Sequence, residues 1–207
     1  MTVMKERQEL ERMLKSGKGI KITAIFILIT GLILGFVLCR EELWIGICFF
    51  IILLVFALVL FLCGLNISSN KRKTLDRLEM NNDIKAAIDD YHMENTVKLD
   101  QKGYSAFGKK FLFALASGRI YRYDEILWVY IVINRQNGIP LSQVLCVGAN
   151  DGRKTAVVSE RVDQNGTDKL TSYIAAIVKR NPECLSGSSP ENARLYRKMV
   201  KAYKNTQ

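Results

Sequence analysis

Along this chain of 207 residues the rhythm of apolar and polar positions changes several times, and each change predicts a different element. Residues 3 to 15 are charged, with Val3, Leu10, Met13 and Leu14 on one side at helical spacing. They predict a short amphipathic helix lying in a membrane interface, interrupted by Gly17 and Gly19. Two uncharged apolar runs follow, ITAIFILITGLILGFVLC from 22 to 39 and LWIGICFFIILLVFALVLFLCGL from 43 to 65, separated only by Arg40, Glu41 and Glu42. As helices they would be about 27 and 35 Å long, against a hydrocarbon core of roughly 30 Å. Two such runs in succession predict a transmembrane hairpin. A cleaved signal peptide would have a shorter apolar region and a small-residue cleavage site, which GFVLCREE does not resemble.

Residues 66 to 93 return to helical spacing and predict a connector. Leu75 and Leu78 mark one segment; Asn81, Asn82 and Asp83 cap a second that carries Ile84, Ala87, Ile88 and Tyr91. From residue 94 the period falls to two. Short strands are predicted at 96–99, 104–107 and 110–115, and the stretch IYRYDEILWVY (120–130) supplies two more. Tyr121 and Tyr123 share one face of the first. In the second, Ile126, Trp128, Tyr130 and Val132 face one way and Leu127, Val129, Ile131 and Ile133 the other. Asp124 and Glu125 fall at the break between them. Adjacent carboxylates in extended chain point to opposite faces, which suits a bend better than an acid–base pair. The NRQNG turn and strands at 142–149 and 153–159 complete a meander.

A helix capped by Thr167 or Asp168 follows, with Leu170, Tyr173, Ile174 and Ile177 on its apolar face, and ends at Pro182. After a loop, residues 182–207 end in a last helix from about Pro190. Leu195, Tyr196, Met199, Val200 and Tyr203 occupy one side; Arg194, Arg197, Lys198, Lys201 and Lys204 occupy the other. Such a basic helix either lies on a membrane surface or packs its apolar side on the domain.

Charge adds an orientation. Lys5, Arg7, Arg12, Lys15, Lys18 and Lys21 precede the first run, and Lys71, Arg72, Lys73 and Arg77 follow the second, whereas the turn carries one Arg against two Glu. Basic flanks stay cytoplasmic, so both termini are expected inside a cell membrane and the turn outside. From Asn66 onward 23 Lys and Arg face 15 Asp and Glu, a balance that favours an anionic leaflet; no nucleic-acid-binding motif accompanies it. Gly31 and Gly35 make a small-residue stripe in the first run, extended by Thr23 and Cys39. It serves as a packing face, either for the second run or for another copy of the chain. The five cysteines and the single His92 have no metal-ligand spacing, and no nucleophile, zinc or phosphate-loop motif is present; neither a cofactor nor a catalytic residue is expected.

The strands and following helix across 94–181, with GRIYRYDEILWVYIV and DGRKTAVV at their centre, resemble the pleckstrin-homology-like domains of bacterial membrane-anchored proteins. Tyr123, Glu125, Ile126, Trp128, Val129 and Tyr130 match a stretch common in those families. The resemblance implies an α+β fold: a two-helix transmembrane hairpin (22–65), then a small, partly closed antiparallel barrel plugged by a helix, and a further C-terminal helix. It implies no activity, since many such families have no assigned function. The expected role is therefore a non-enzymatic binding or scaffolding protein presenting this domain in the cytoplasm. The alternative is an accessory subunit of a membrane complex assembled through the hairpin. Expected partners are membrane lipids and a protein. Lys102, Lys109, Lys110, Arg119, Arg122, Arg153 and Lys154 are the candidates for a rim that contacts phosphate or lipid headgroups.

Overall fold

The computed structural model describes residues 2–14, 17–39 and 43–205. Lys15 and the turn Arg40-Glu41-Glu42 lie outside the described residues, as do the side chains of Val3 and Cys39. The chain is a mixed α+β protein with two long apolar helices and two sheets.

Helix α2 (Lys18–Cys39) and the first part of α3 (Leu43–Met80) form an antiparallel apolar pair. Their seam is built from small residues. Ala24 and Ala57 are buried; a Cβ on Gly31 would stand 3.1 Å from Leu53 Cβ, and one on Gly35 would stand 3.2 Å from Phe50 Cβ. The glycine stripe thus faces the second run of the same chain, letting the two backbones approach. Thr23 is not part of it: the residue is exposed and its hydroxyl donates to Gly19 O at 3.0 Å. The outer surface carries Ile22, Phe26, Phe36, Trp44 and Ile52 uncovered. Only 17% of the apolar stretch of α2 and 11% of that of α3 are buried, unlike a helix in the core of a soluble protein. Both helices are long and apolar enough to cross a membrane.

Helix α3 does not end with its apolar run. It continues without a break from Leu65 through Met80, so the expected boundary at 65/66 is absent. The sequence NISSNKRKTLDRLEM contains no Gly or Pro to stop it. Asn82, at positive φ, makes the turn into α4 (Ile84–His92). The last turns of α3 bury Leu75 and Leu78, and with Ile84, Ala87 and Ile88 of α4 they cover one face of the first sheet. Helix α1 (Thr2–Met13) closes this cluster with Leu10 and with Leu14 just beyond its end, both nearly inaccessible. Its apolar side is committed to the domain core rather than to a membrane interface.

The first sheet has the order β1-β2-β3-β4, from β1 (Val97–Lys98), β2 (Ser105–Phe107), β3 (Phe111–Ala114) and β4 (Arg119–Arg122), all antiparallel. Asp90 of α4 fixes the turn between β2 and β3 by accepting the backbone N–H groups of Lys109, Lys110 and Phe111 at 2.7 to 2.9 Å. After a single 3-10 turn (Tyr123–Glu125) the second sheet begins, with the order β7-β6-β5-β8. Its strands are β5 (Ile126–Gln136), β6 (Ile139–Ala149), β7 (Lys154–Glu160) and the two-residue β8 (Leu185–Ser186), which pairs parallel to β5. Asn137 and Gly138, at φ 50° and 80°, close the β5–β6 hairpin; two successive positive φ angles suit the twist of the flanking strands. The sheets remain two four-stranded layers, and no closed barrel is found among the described residues.

Between the sheets, and under helix α5 (Gln164–Arg180), lies the main core: Leu112, Tyr121, Val129, Leu145, Leu170 and Ile177 are its central members. Asp163, not Thr167 or Asp168, caps α5, accepting the Gly166 N–H at 2.6 Å. The β5–β6 register shifts twice, at Ile126/Trp128 and at Asn134/Arg135, and the first shift breaks the alternation expected along β5. A register shift between Ile126 and Trp128 turns Ile126 to the same core as Val129, and Leu127 packs with Trp128 and Tyr130 on the opposite face. An extra residue in one strand has this effect, because side chains alternate strictly on either side of it. The opposite face is covered by α6 (Pro190–Asn205), whose Tyr196 and Val200 pack against Trp128 and Tyr130.

Candidate functional site

The seven basic residues expected on one rim occupy different settings. Lys102 lies in the β1–β2 turn, and Lys109 and Lys110 in the β2–β3 turn, where their backbone rather than their charge has a defined partner, Asp90. Arg122 is held by Asp83 at 3.4 Å and Asp124 at 3.2 Å. Lys154 Nζ stands 4.8 Å from the Trp128 ring centre, with Tyr130 and Tyr196 beside it, a cation–π setting on the α6 side of the sheet. Only Arg119 and Arg153 converge.

They do so in a cleft of about 700 Å³ between the polar half of α3, strand β4 from its first residue Arg119, the β6–β7 turn and the end of α6. Arg119 is buried. Its guanidinium donates to Tyr121 Oη at 2.6 Å and to Asn70 Oδ1 at 2.9 Å. Arg153 donates to the same Asn70 oxygen at 2.8 Å. Tyr121 Oη also meets Thr155 Oγ1 at 2.8 Å; burial pushes its phenol upward more than Arg119 pulls it back, so it stays a neutral hydroxyl. Lys73 and Lys204 stand on the outer walls, and neither forms an ion pair among the described residues.

The carboxylates of the cleft are already occupied. Glu125 accepts from Arg77 at 2.7 Å and from the Arg122 backbone at 2.9 Å; Asp76 pairs with Arg7 at 3.4 Å and Arg72 at 3.8 Å. Burial pushes the Glu125 carboxyl above its ordinary value, with Arg77 and the Arg122 N–H opposing. Asp151 takes the Arg153 N–H at 2.9 Å and approaches the two guanidinium groups only at 4.0 and 3.9 Å. No pair of free acids sits with a nucleophile here. Among the described residues no cluster of His, Cys, Asp and Glu could hold a metal.

The same cleft joins the domain to α3. Asn70 Nδ2 donates to Ser117 O at 3.4 Å, Thr74 Oγ1 to Gly118 O at 3.0 Å, and Arg77 to Ile120 O. Gly118 has φ 69°, and a Cβ there would lie 3.1 Å from Ile67 O, so the turn rests directly on the helix backbone. Lys21, the last charged residue before the apolar run of α2, packs beside Gly64 of α3, so both helices leave the apolar zone at one height. Asn70 is then about 8 Å further along α3 from Leu65, and Arg77 about 18 Å.

The sequence places Arg119 and Arg153 on one rim with five other basic residues and does not single out this pair. Asn70, Tyr121 and Arg77, which create the cleft, were not candidates. The available signal was the unbroken helical composition from Asn66 to Met80, which carries these side chains into the domain.

The five basic residues of α6 are all exposed, but Lys204, one turn after Val200, stands with it beside Gly152 on the cleft side rather than with the others on the outer side. The helix packs on the domain, and its charged side remains open. Comparison of the chain with protein-family models, curated proteins and solved structures gives no match.

Proposed function

We propose that this chain is an integral membrane protein with both termini in the cytoplasm, whose apolar hairpin carries a non-enzymatic binding or scaffolding domain of pleckstrin-homology-like plan. The observation that supports it most is α3, a single helix that belongs to the apolar pair at one end and to the domain core at the other. A flexible tether would let the domain diffuse; this connection fixes its orientation and its distance from the bilayer. The pleckstrin-homology-like plan is supported by the order of elements: four antiparallel strands, three more in a second sheet, then α5 over the core between them. The glycine stripe lends no support to a role as a complex subunit, because Gly31 and Gly35 face Leu53 and Phe50 within the hairpin. A binding role is supported by the cleft, whose acids are paired and whose basic side chains are in excess.

Orientation is tested by single cysteines placed at Glu41 and Lys201 in a chain whose native cysteines are replaced. A membrane-impermeant maleimide is expected to label Glu41→Cys in intact cells and Lys201→Cys only after permeabilisation. Labelling of Lys201→Cys in intact cells would overturn the proposal.

A further inference from the structure

We infer that the cleft around Asn70 is a binding site for the phosphate of an anionic phospholipid headgroup from the leaflet that the domain faces. This rests on the hairpin being membrane-spanning. Two guanidinium groups, of Arg119 and Arg153, point at one neutral amide oxygen at 2.9 and 2.8 Å. Two cations brought to a single uncharged acceptor repel each other, and the nearest carboxylate, Asp151, stays at about the limit of an ion pair from both. Asp76 and Glu125 are engaged by Arg7, Arg72 and Arg77, and cannot neutralise them. Lys73 and Lys204 add two further charges on the open side.

An anion is what such a group lacks, and phosphate suits it because guanidinium presents paired donors to its oxygens. Height selects the source. The headgroup layer extends roughly 5–8 Å beyond the hydrocarbon on each side, and Asn70 is about 8 Å past the last residue of the apolar run. Lys73, one turn deeper, and Lys204, at the end of α6, would reach the same phosphate from below. The open basic side of α6 supplies general attraction to an anionic surface, whereas the cleft supplies a defined place for one headgroup.

Native mass spectrometry of the full chain, released from detergent with phosphatidylglycerol or phosphatidylcholine added, tests this. Wild type is expected to retain phosphatidylglycerol preferentially. Arg153→Gln with Lys204→Gln should reduce that retention at least five-fold, with an unchanged thermal unfolding midpoint. Removing equal charge elsewhere, by Lys102→Gln with Lys109→Gln, should leave it within two-fold. Equal loss in both double variants, or no loss in the first, would overturn the site. Millimolar glycerol phosphate should not displace the lipid; displacement would assign the cleft to a soluble phosphate compound and overturn the lipid source. These outcomes do not depend on which side of a cell membrane the domain occupies, so they are separable from the labelling result.

Discussion

Helices α1 and α6 are both short, amphipathic and charged, and each bears the pattern of a membrane-surface helix. In the folded chain both turn their apolar side inward, α1 with Leu10 onto the cluster under the first sheet and α6 with Tyr196 and Val200 onto the second. Their polar sides differ. Arg7 pairs with Asp76 and Glu79, Glu11 with Lys71, and Glu9 lies 3.6 Å from His92, so Arg7 and Glu11 of α1 are met by charges of α3. Arg194, Arg197, Lys198, Lys201 and Lys204 form no ion pair among the described residues. An apolar stripe alone therefore does not distinguish a membrane-surface helix from a domain helix; the partners of the charges do. On that criterion α1 is a strut, and α6 is a strut with an unspent basic surface.

The largest effects should come from the apolar sides. Tyr196→Ala should cost roughly 3–5 kcal/mol and Leu10→Ala roughly 2–5 kcal/mol in chemical unfolding followed by tryptophan fluorescence, as expected for emptied core positions. If either helix instead lay on lipid, its variant would leave the unfolding midpoint of the domain unchanged. The polar sides should matter far less to stability. Arg7→Gln removes a half-exposed ion-pair cluster and should cost about 1 kcal/mol or less, while Lys198→Gln with Lys201→Gln should change stability by no more than about 0.5 kcal/mol. A cost from the α6 variant larger than that from Arg7→Gln would reverse the contrast.

A pH series adds a smaller test at the junction both helices flank. The Glu125 carboxyl is raised above 4.5, chiefly by burial. It therefore holds its proton more tightly folded than unfolded, and its contribution to stability falls as pH rises through the window above 4.5. Glu125→Gln removes that titration. The stability of wild type relative to Glu125→Gln should decline from pH 4 to pH 7; a relative gain would mean that Arg77 outweighs burial.

Much of the fold is legible in the sequence because its signals are local. The apolar runs, the Asn137-Gly138 turn, the strands around IYRYDEILWVY and the apolar faces of α5 and α6 follow from composition and period. Asp124 and Glu125 do mark the bend between the sheets, and the rings around them belong to the cores on either side. What sequence does not show is long-range. The slip at Ile126 depends on pairing with Ala149 and Gly148; β8 exists only because the chain after Pro182 returns beside Trp128 and Val129. The cleft depends on Asn70 meeting Arg119 and Arg153, 49 and 83 residues away. Basic residues are common on surfaces, and only their shared partner separates these two from the other candidates.

The claim on which the account turns is that α3 passes unbroken from the apolar pair into the domain. Hydrogen exchange of the full chain in lipid nanodiscs tests it directly. Amides from Asn66 to Leu75 are predicted to be protected as strongly as those of the β5–β6 hairpin near Val129 and Leu145. Exchange across Asn66–Asn70 within seconds, beside a protected Val129 and Leu145, would show a flexible tether and contradict the fixed mounting of the domain.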